Sequence, residues 1–353
     1  MATPALRTRL CELVGIEHPI VQTGMGWVAY PSLVAATSAA GGLGILAAAT
    51  MDVAELRAAI ATVQERTDRP FGVNLRADAG DAAERLDLMG REGVAVASFA
   101  QAPTRELIAR AKDRGLVVLP SIGARRHAEK VAAWGADAVL VQGGEGGGHT
   151  GQVPTTLLLP QVVDAVDLPV VAAGGFFDGR GLVAALAYGA SGMAMGTRFL
   201  LTRESPVGED VKRFYLERTV TDTVVTRQVD GVPHRVLRTG LVDRLERSGR
   251  VAGLARAARN AAAFRRTVPG TTWRGMLREG RAMRRSQELS WSQVVMAANT
   301  PMLLRAAMVD GRVDLGVMAS GQVVGVLDDL PPVAEVVQRI VAQAEDVLAR
   351  LAA

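Results

Sequence analysis

A glycine-rich stretch surrounds the histidine that is best placed for catalysis. Residues 142–151 contain six glycines around Glu145 and His149. Glycine loses more backbone entropy on folding than any other residue, so stability alone explains such a stretch poorly. An imidazole near neutral pH can act as a general base or as a hydrogen-bond donor. We therefore predict that His149 is catalytic, against the alternative of a structural histidine; His18, His127 and His234 lack such a setting.

Two neutral amides occupy comparable positions, because Asn74 and Gln142 each close a short apolar run. An amide can pair with the donors and acceptors at the edge of a heterocycle without adding charge. The alternative is that both side chains bind backbone groups near the ends of strands.

Two glycine-bearing turns lead directly into predicted helices. They are Ala173-Gly174-Gly175 and Met195-Gly196-Thr197-Arg198. Glycines let backbone N–H groups approach an anion, and the start of a helix adds its positive end. These turns therefore predict a phosphate site, unless their glycines only relieve crowding.

The turn Gly24-Met25-Gly26, with Ala29 three residues later, matches a dinucleotide-binding pattern. No acidic residue that could hold a ribose follows between Tyr30 and Met51, and Pro31 interrupts the expected helix. Two other interpretations stay open: a tight turn, or a flat cofactor that passes close to this backbone.

Eight apolar runs alternate with helix-length segments along the chain. The candidate residues named above lie at or just after the ends of these runs. Apolar runs with little polar alternation are typical of parallel strands covered on both faces. Eight such units in about 180 residues favour a closed (β/α)8 TIM barrel over an open doubly wound sheet. In a barrel, the functional groups gather at the carboxyl ends of the strands. The runs are residues 19–23, 42–48, 71–75, 94–99, 117–122, 138–142, 169–173 and 192–199.

The alternation stops after the last run. We expect a barrel over residues 1–218, a mainly helical basic insertion over 219–300, and a C-terminal part over 301–353 that packs back on the barrel. Residues 321–327 are predicted to be extended, and 333–351 to form an amphipathic helix.

Twelve arginines lie between residues 244 and 285. They form either a solvated helical face or a binding surface for a polyanion such as coenzyme A, with the insertion acting as a substrate site or a lid. The representative candidates are Arg244, Arg247, Arg274 and Arg278.

The composition excludes several classes of protein. A single cysteine, Cys11, rules out an internal disulfide and a multi-cysteine metal site, and no metal is expected. A net charge of +4 and 4% aromatic residues do not favour a nucleic-acid partner. No apolar run is long enough to cross a bilayer, and the first twelve residues lack a signal-peptide pattern. We expect a cytoplasmic protein without a membrane partner.

Taken together, these residues resemble the nitronate monooxygenase (2-nitropropane dioxygenase) family of FMN-dependent barrels. The resemblance implies FMN against Gly24, Met25 and Gly26, with its ring edge near Asn74 and Gln142 and with Gly147 and Gly148 beside it. It implies that residues 173–175 and 195–198 hold the phosphate and that His149 is the base. The matching stretches are residues 19–26, 40–44, 72–74, 142–151, 172–175 and 189–205.

Two features depart from the nitroalkane-oxidising members: Thr23-Gly24-Met25 replaces their Ala-Pro-Met turn, and the arginine-rich insertion is long. The chain is more similar to the actinobacterial steroid-catabolic flavoproteins. This resemblance implies dehydrogenation of a carbon–carbon bond in a bicyclic indane-type acyl-CoA, with hydride transfer to FMN. NAD(P) as a dissociable co-substrate and a homodimer are further expectations. The matching stretches are residues 21–28, 142–151, 174–180, 229–238, 291–303 and 321–330.

Two alternatives remain. One is a nitronate monooxygenase that uses oxygen, which would not need the basic insertion. The other is a barrel that binds nucleic acid or another anion without catalysis, which would leave the glycine loops without a purpose.

Overall fold

The computed structural model describes residues 6–247 and 299–353, with backbone alone at 299 and 300. Eight parallel strands close into a barrel, since β1 pairs with both β2 and β9. The (β/α)8 prediction is confirmed, and the open sheet is excluded. The barrel strands are β1 (Ile20–Gln22), β2 (Leu43–Ala47), β3 (Phe71–Leu75), β4 (Val96–Phe99), β5 (Val117–Ile122), β6 (Val139–Gln142), β8 (Val170–Ala173) and β9 (Gly192–Met195).

All eight predicted runs contain a strand, but the last run is shorter than expected. It ends at Met195, because Thr197–Leu200 turns into helix α9. The other helices of the barrel region are α1 (Arg9–Val14), α2 (Pro31–Ala39), α3 (Val53–Gln64), α4 (Ala82–Arg91), α5 (Arg105–Asp113), α6 (Arg125–Ala133), α7 (Thr155–Val163), α8 (Gly179–Ala187) and α10 (Glu209–Leu216).

Apolar side chains fill both faces of the barrel wall. Val21, Ile45 and Leu140 belong to an inner cluster that also contains Leu10 and Val14 of α1, so this helix packs against the barrel interior. A larger cluster lies between the strands and the outer helices. Burial on both faces explains why the strands lack polar alternation, and it leaves the strand ends as the place for polar groups.

The segment after the barrel differs from the helical prediction. Residues Thr223–Thr226 (β10) and His234–Leu237 (β11) form an antiparallel hairpin, and β11 also pairs with β7 (Gly148–His149). Within the insertion predicted to be mainly helical, the hairpin is a departure, α11 (Gly240–Arg247) is helical, and residues 248–298 lie outside the described residues. The strand pairing supplies the physical reason, because β7 offers an edge to which β11 can bond.

The C-terminal part returns to the barrel. Helix α12 (Asn299–Met308) is followed by a 3-10 turn at Gln322–Val326, where an extended segment was predicted; that prediction is wrong. The predicted closing helix is confirmed as α13 (Val333–Ala352), which packs on α8 and α2. A Cβ atom at Gly179 would lie only 2.4 Å from the Ile340 carbonyl oxygen, so a glycine is needed where α8 meets α13.

None of the helices in the described ranges is both long and apolar enough to span a membrane.

Candidate active site

The loop after β1 approaches β3 so closely that it needs a glycine. A Cβ atom built on Gly24 would lie 2.4 Å from the Cβ atom of Asn74. On its other side the same loop meets β9, since a Cβ atom on Gly196 would lie 3.3 Å from the sulfur of Met25. The structure therefore brings Gly24, Met25, Asn74 and Gly196 together at the carboxyl ends of the strands, as the barrel prediction requires.

The two amides make different hydrogen bonds. Asn74 donates from Nδ2 to the Ser98 hydroxyl of β4 at 3.1 Å. Gln142 donates from Nε2 to the carbonyl oxygens of Gly147, at 3.2 Å, and of His149, at 2.9 Å. Gln142 thus fixes the backbone that carries the predicted base, which is the backbone-binding alternative considered for this residue.

Residues 142–151, which we call the glycine loop, are held by one of their own side chains and by two other segments of the chain. Gln142 binds it from within, Arg235 donates from Nε and Nη2 to the Gly144 carbonyl at 3.0 and 2.8 Å, and the Gln322 N–H donates to the Glu145 carbonyl at 3.0 Å. Gly147 has no space for a side chain, because its Cβ atom would lie 2.6 Å from the Gly321 nitrogen. The glycines thus let distant parts of the chain converge on this loop.

The turn after β8 packs against the glycine loop. Gly174 and Gly175 have positive φ angles of 96° and 84°, which a side chain would strain. A Cβ atom on Gly174 would lie 3.1 Å from the Gly143 carbonyl oxygen. The following helix, α8, is capped by Asp178, whose carboxylate accepts from the Gly181 N–H at 3.1 Å. A phosphate at this turn would therefore be held by the glycine backbone rather than by the start of α8.

The side chains of Thr197 and Arg198, which follow β9, form hydrogen bonds with residues of the C-terminal part. Arg198 is 7% exposed and donates to the Asp329 carboxylate at 2.9 Å, to the Asp329 carbonyl at 3.0 Å and to the Leu201 carbonyl at 2.7 Å. The Thr197 hydroxyl accepts from the Gly321 N–H at 3.0 Å. Both Nη atoms of Arg198 are thus occupied, whereas its buried Nε atom has no partner in the described structure.

His149 is paired with a buried carboxylate. Its Nε2 atom lies 2.6 Å from Oδ2 of Asp230, whose side chain is 4% exposed, whereas the His149 side chain is 53% exposed. Oδ1 of Asp230 accepts from the Val232 N–H at 3.2 Å. One carboxylate oxygen is thus fixed by backbone, and the other faces the predicted base.

A second histidine completes this group. His234 is 3% exposed, its Nδ1 atom lies 3.6 Å from Oδ2 of Asp230, and its ring centroid is 4.6 Å from that of His149. Burial would raise the pKa of Asp230, but the His149 hydrogen bond and the nearby His234 ring outweigh burial and hold it well below its usual range. Burial lowers the pKa of His234, so this ring is neutral near pH 7.

Sequence reasoning missed Asp230 and His234. The sequence indicated no setting for His234 beside the glycine loop, yet strand pairing places it directly opposite His149. The available signal was weak: an acid and a histidine four residues apart, in a segment without barrel periodicity.

The three side chains are also the one group within residues 6–247 and 299–353 whose ligand atoms lie close enough to hold a metal. Two ligands of a tetrahedral metal with bonds of about 2.0–2.1 Å are separated by about 3.3 Å. The 2.6 Å contact between His149 and Asp230 is a hydrogen-bond distance instead.

The barrel mouth fits a flavin. Backbone without side chains is presented at Gly24, Gly174, Gly175 and Gly196, at the ends of three strands. Beside Gly26, Trp27 has a φ of 66°, unusual for a residue with a side chain, and its buried indole N–H has no partner in the described structure. Glycine backbone can approach a flat ring and its phosphate, and an unpaired donor can be satisfied by a ring acceptor.

The predicted arginines of the insertion are only partly described. Arg244 and Arg247 are exposed on α11, and Arg247 donates to the Asp243 carbonyl at 3.2 Å. Arg274 and Arg278 lie outside the described residues. A cleft of about 650 Å³ lies between the glycine loop and the hairpin, and its lining includes Arg227, Arg235 and Gln228.

Comparisons with known proteins agree with this architecture. The family model described as nitronate monooxygenase matches residues 7–343. A Mycobacterium tuberculosis protein named "(3aS,4S,5R,7aS)-5-hydroxy-7a-methyl-1-oxo-octahydro-1H-indene-4-carboxyl-CoA dehydrogenase" is 65% identical over 342 residues, or 96% of each chain. A Rhodococcus jostii protein of the same name is 63% identical, again over 96% of each chain. The solved structure of FabK from Thermotoga maritima has a TM-score of 0.79 and 34% identity over 98% of both chains.

Proposed function

The chain belongs to the nitronate monooxygenase family of flavin-dependent oxidoreductases, and from this premise we propose that it is an FMN-dependent dehydrogenase of a bicyclic indane-type carboxyl-CoA thioester. The names of the two relatives support the substrate class. The structural observation that carries the proposal is the contact of His149 with buried Asp230 at the rim of the barrel mouth.

The substrate chemistry explains why a base is needed. A C–H bond next to a thioester carbonyl is acidic, and dehydrogenation removes its proton together with a hydride from the neighbouring carbon. His149 accepts the proton, since its exposed ring can reach a bound ligand. When bound, FMN supplies the acceptor for the hydride. Both hydrogens and the electron pair are then accounted for, and the product contains a new carbon–carbon double bond.

The other residues of the site would bind the flavin or keep His149 in position. The backbone at Gly174, Gly175, Gly196 and Thr197 would bind the phosphate, and Asn74 would face the edge of the ring. Gln142 and Arg235 keep the glycine loop, and with it His149, in one position. A phosphate site made of two glycine turns suits a mononucleotide flavin, which is the reason for proposing FMN.

The phosphates of the coenzyme A part of the substrate would be bound by positively charged side chains. We assign it to the arginine-rich insertion, with Arg244 and Arg247 as the described candidates and Arg274 and Arg278 as further ones. Replacing all four by glutamine should raise KM for the acyl-CoA at least tenfold and leave flavin content unchanged. The same variant would keep full activity if the protein were a nitronate monooxygenase.

The direct test is an anaerobic titration of the yellow protein, followed by its visible spectrum. Bleaching by an indane-type acyl-CoA, with a product two hydrogens lighter, supports the proposal. Bleaching by an alkyl nitronate alone would replace it by the monooxygenase activity after which the family is named. Reoxidation of the bleached protein by NAD(P)+ tests the proposed dissociable co-substrate.

A further inference from the structure

We propose that Asp230 is the positioning residue that makes Nδ1, rather than Nε2, the basic atom of His149. This inference rests on the proposed function, because it takes His149 as the base. Asp230 is 81 residues away from His149 in the chain, and sequence reasoning assigned it no role in the site.

The first step of the argument concerns the protons. Asp230 is held ionised, so its oxygens only accept hydrogen bonds. The 2.6 Å contact with His149 therefore requires a proton on Nε2 of the imidazole. A neutral imidazole carries one proton, so its lone pair is on Nδ1. When Nδ1 accepts the substrate proton, the carboxylate stabilises the cation that forms.

The second step concerns His234. This ring is neutral and almost fully buried, and neither of its nitrogens has a hydrogen-bond partner in the described structure. It covers the Asp230 carboxylate at 3.6 Å and contacts the His149 ring. Water is thereby excluded from this side of the carboxylate, which strengthens the charge-assisted hydrogen bond to His149.

The third step predicts an unusual order of variant activities. In Asp230→Asn, the amide oxygen stays with the Val232 N–H, which now fixes Oδ1 at 3.2 Å. The amide NH2 group then faces His149 and donates to Nε2. This forces the proton of the neutral ring onto Nδ1 and removes the base. Asp230→Ala leaves both tautomers accessible, so the closer isostere is the more damaging change.

The experiment uses FMN-loaded protein with 15N-labelled histidine. The chain has four histidines, so long-range 1H–15N spectra contain few signals, and His149→Gln assigns one of them. At about pH 8, where a free imidazole is neutral, His149 should carry its proton on Nε2 in the wild type and on Nδ1 in Asp230→Asn. The wild-type spectrum tests the tautomer even if a variant does not fold.

Kinetics supply the second readout. We expect kcat for the acyl-CoA to fall about 10³-fold in Asp230→Asn, with less loss in Asp230→Ala and no change in KM. Asp243→Asn is the matched control, because this partly exposed carboxylate on α11 pairs with Arg238 in the described structure; it should change neither tautomer nor kcat.

Three results would overturn the inference: an Nδ1–H tautomer in the wild type, unchanged kcat in Asp230→Asn, or an alanine variant slower than the asparagine variant. Failure of the proposed function looks different. In that case the wild type shows the Nε2–H tautomer but does not oxidise the acyl-CoA.

Discussion

Nε2 of His149 lies 2.6 Å from Oδ2 of Asp230, which lies in the turn between β10 and β11, and β11 pairs with β7. The short strand β7 consists of Gly148 and His149 alone, so the hairpin reaches the glycine loop at the residue that carries the imidazole. This contact joins the barrel to the segment that follows it. It also turns an exposed histidine into one whose orientation is fixed.

The role of His149 is tested by His149→Gln. Glutamine retains a polar side chain but cannot accept a proton at neutral pH. We expect kcat for the acyl-CoA to fall by about 10²- to 10⁴-fold while the protein stays yellow. The control is His127→Gln in the first turn of α6, a partly exposed histidine to which we assign no role in the site. Stopped-flow bleaching of the flavin measures the rate, and an unchanged rate in His149→Gln would remove the base from the mechanism.

The close approach of the β1 loop to Asn74 is tested by Gly24→Ala. The new methyl group would lie 2.4 Å from Asn74 Cβ, so the loop or the strand must shift. We expect the flavin content to fall at least tenfold, measured by absorbance per mole of protein. Gly80→Ala is the control, because a Cβ atom there meets nothing within 4 Å. Full flavin occupancy in Gly24→Ala would contradict our placement of the cofactor.

Arg198 distinguishes a structural role from a phosphate-binding one. Its guanidinium is buried against Asp329 and two carbonyl oxygens, so Arg198→Ala leaves these groups without their partner. We expect a loss of about 3 kcal/mol in the free energy of unfolding, measured by urea denaturation.

The dissociation constant for FMN of this variant should stay the same when it is measured well below the unfolding transition. Arg213→Ala is the control, since its exposed pair with Asp210 should contribute almost nothing to stability. A large loss of FMN affinity in Arg198→Ala would instead show that the side chain binds the phosphate.

His234 makes stability depend on pH. Burial lowers the pKa of His234 in the folded protein, so below about pH 6.5 the unfolded chain binds more protons. The stabilising contribution is therefore complete above that pH and is lost as the pH falls. The groups facing this ring are Asp230 and His149, and Asp230 protonates only at lower pH, since its pKa is held below its usual range.

Urea denaturation between about pH 7.5 and pH 5 checks this expectation. His234→Gln should show a shallower loss of unfolding free energy than the wild type. His127→Gln should keep most of the slope. The pKa of His127 is lowered in the same direction, so this variant loses a part of the slope, but the part is small because His127 is less buried than His234. An equal slope in His234→Gln and the wild type would mean that His234 is not the titrating group.

The sequence determined the barrel, because a parallel sheet covered on both faces leaves a local signal. Each strand, such as Phe71–Leu75 or Val170–Ala173, is a short apolar run, and each is followed by a helical period. The same signal located Asn74, Gln142 and the glycine turns, since in a barrel the end of a run is also the position of a loop. His149 could be selected because its glycine setting is contiguous in the chain.

Only the tertiary structure decided what surrounds these residues. The pairing of β11 with β7 joins positions more than eighty residues apart and depends on backbone hydrogen bonds, which carry little sequence information. For that reason Asp230 and His234 stayed unrecognised, and the pairing of Arg198 with Asp329 was not foreseen. Local periodicity fixes which residues lie at the mouth of the barrel, whereas long-range packing fixes which of their atoms remain free to act.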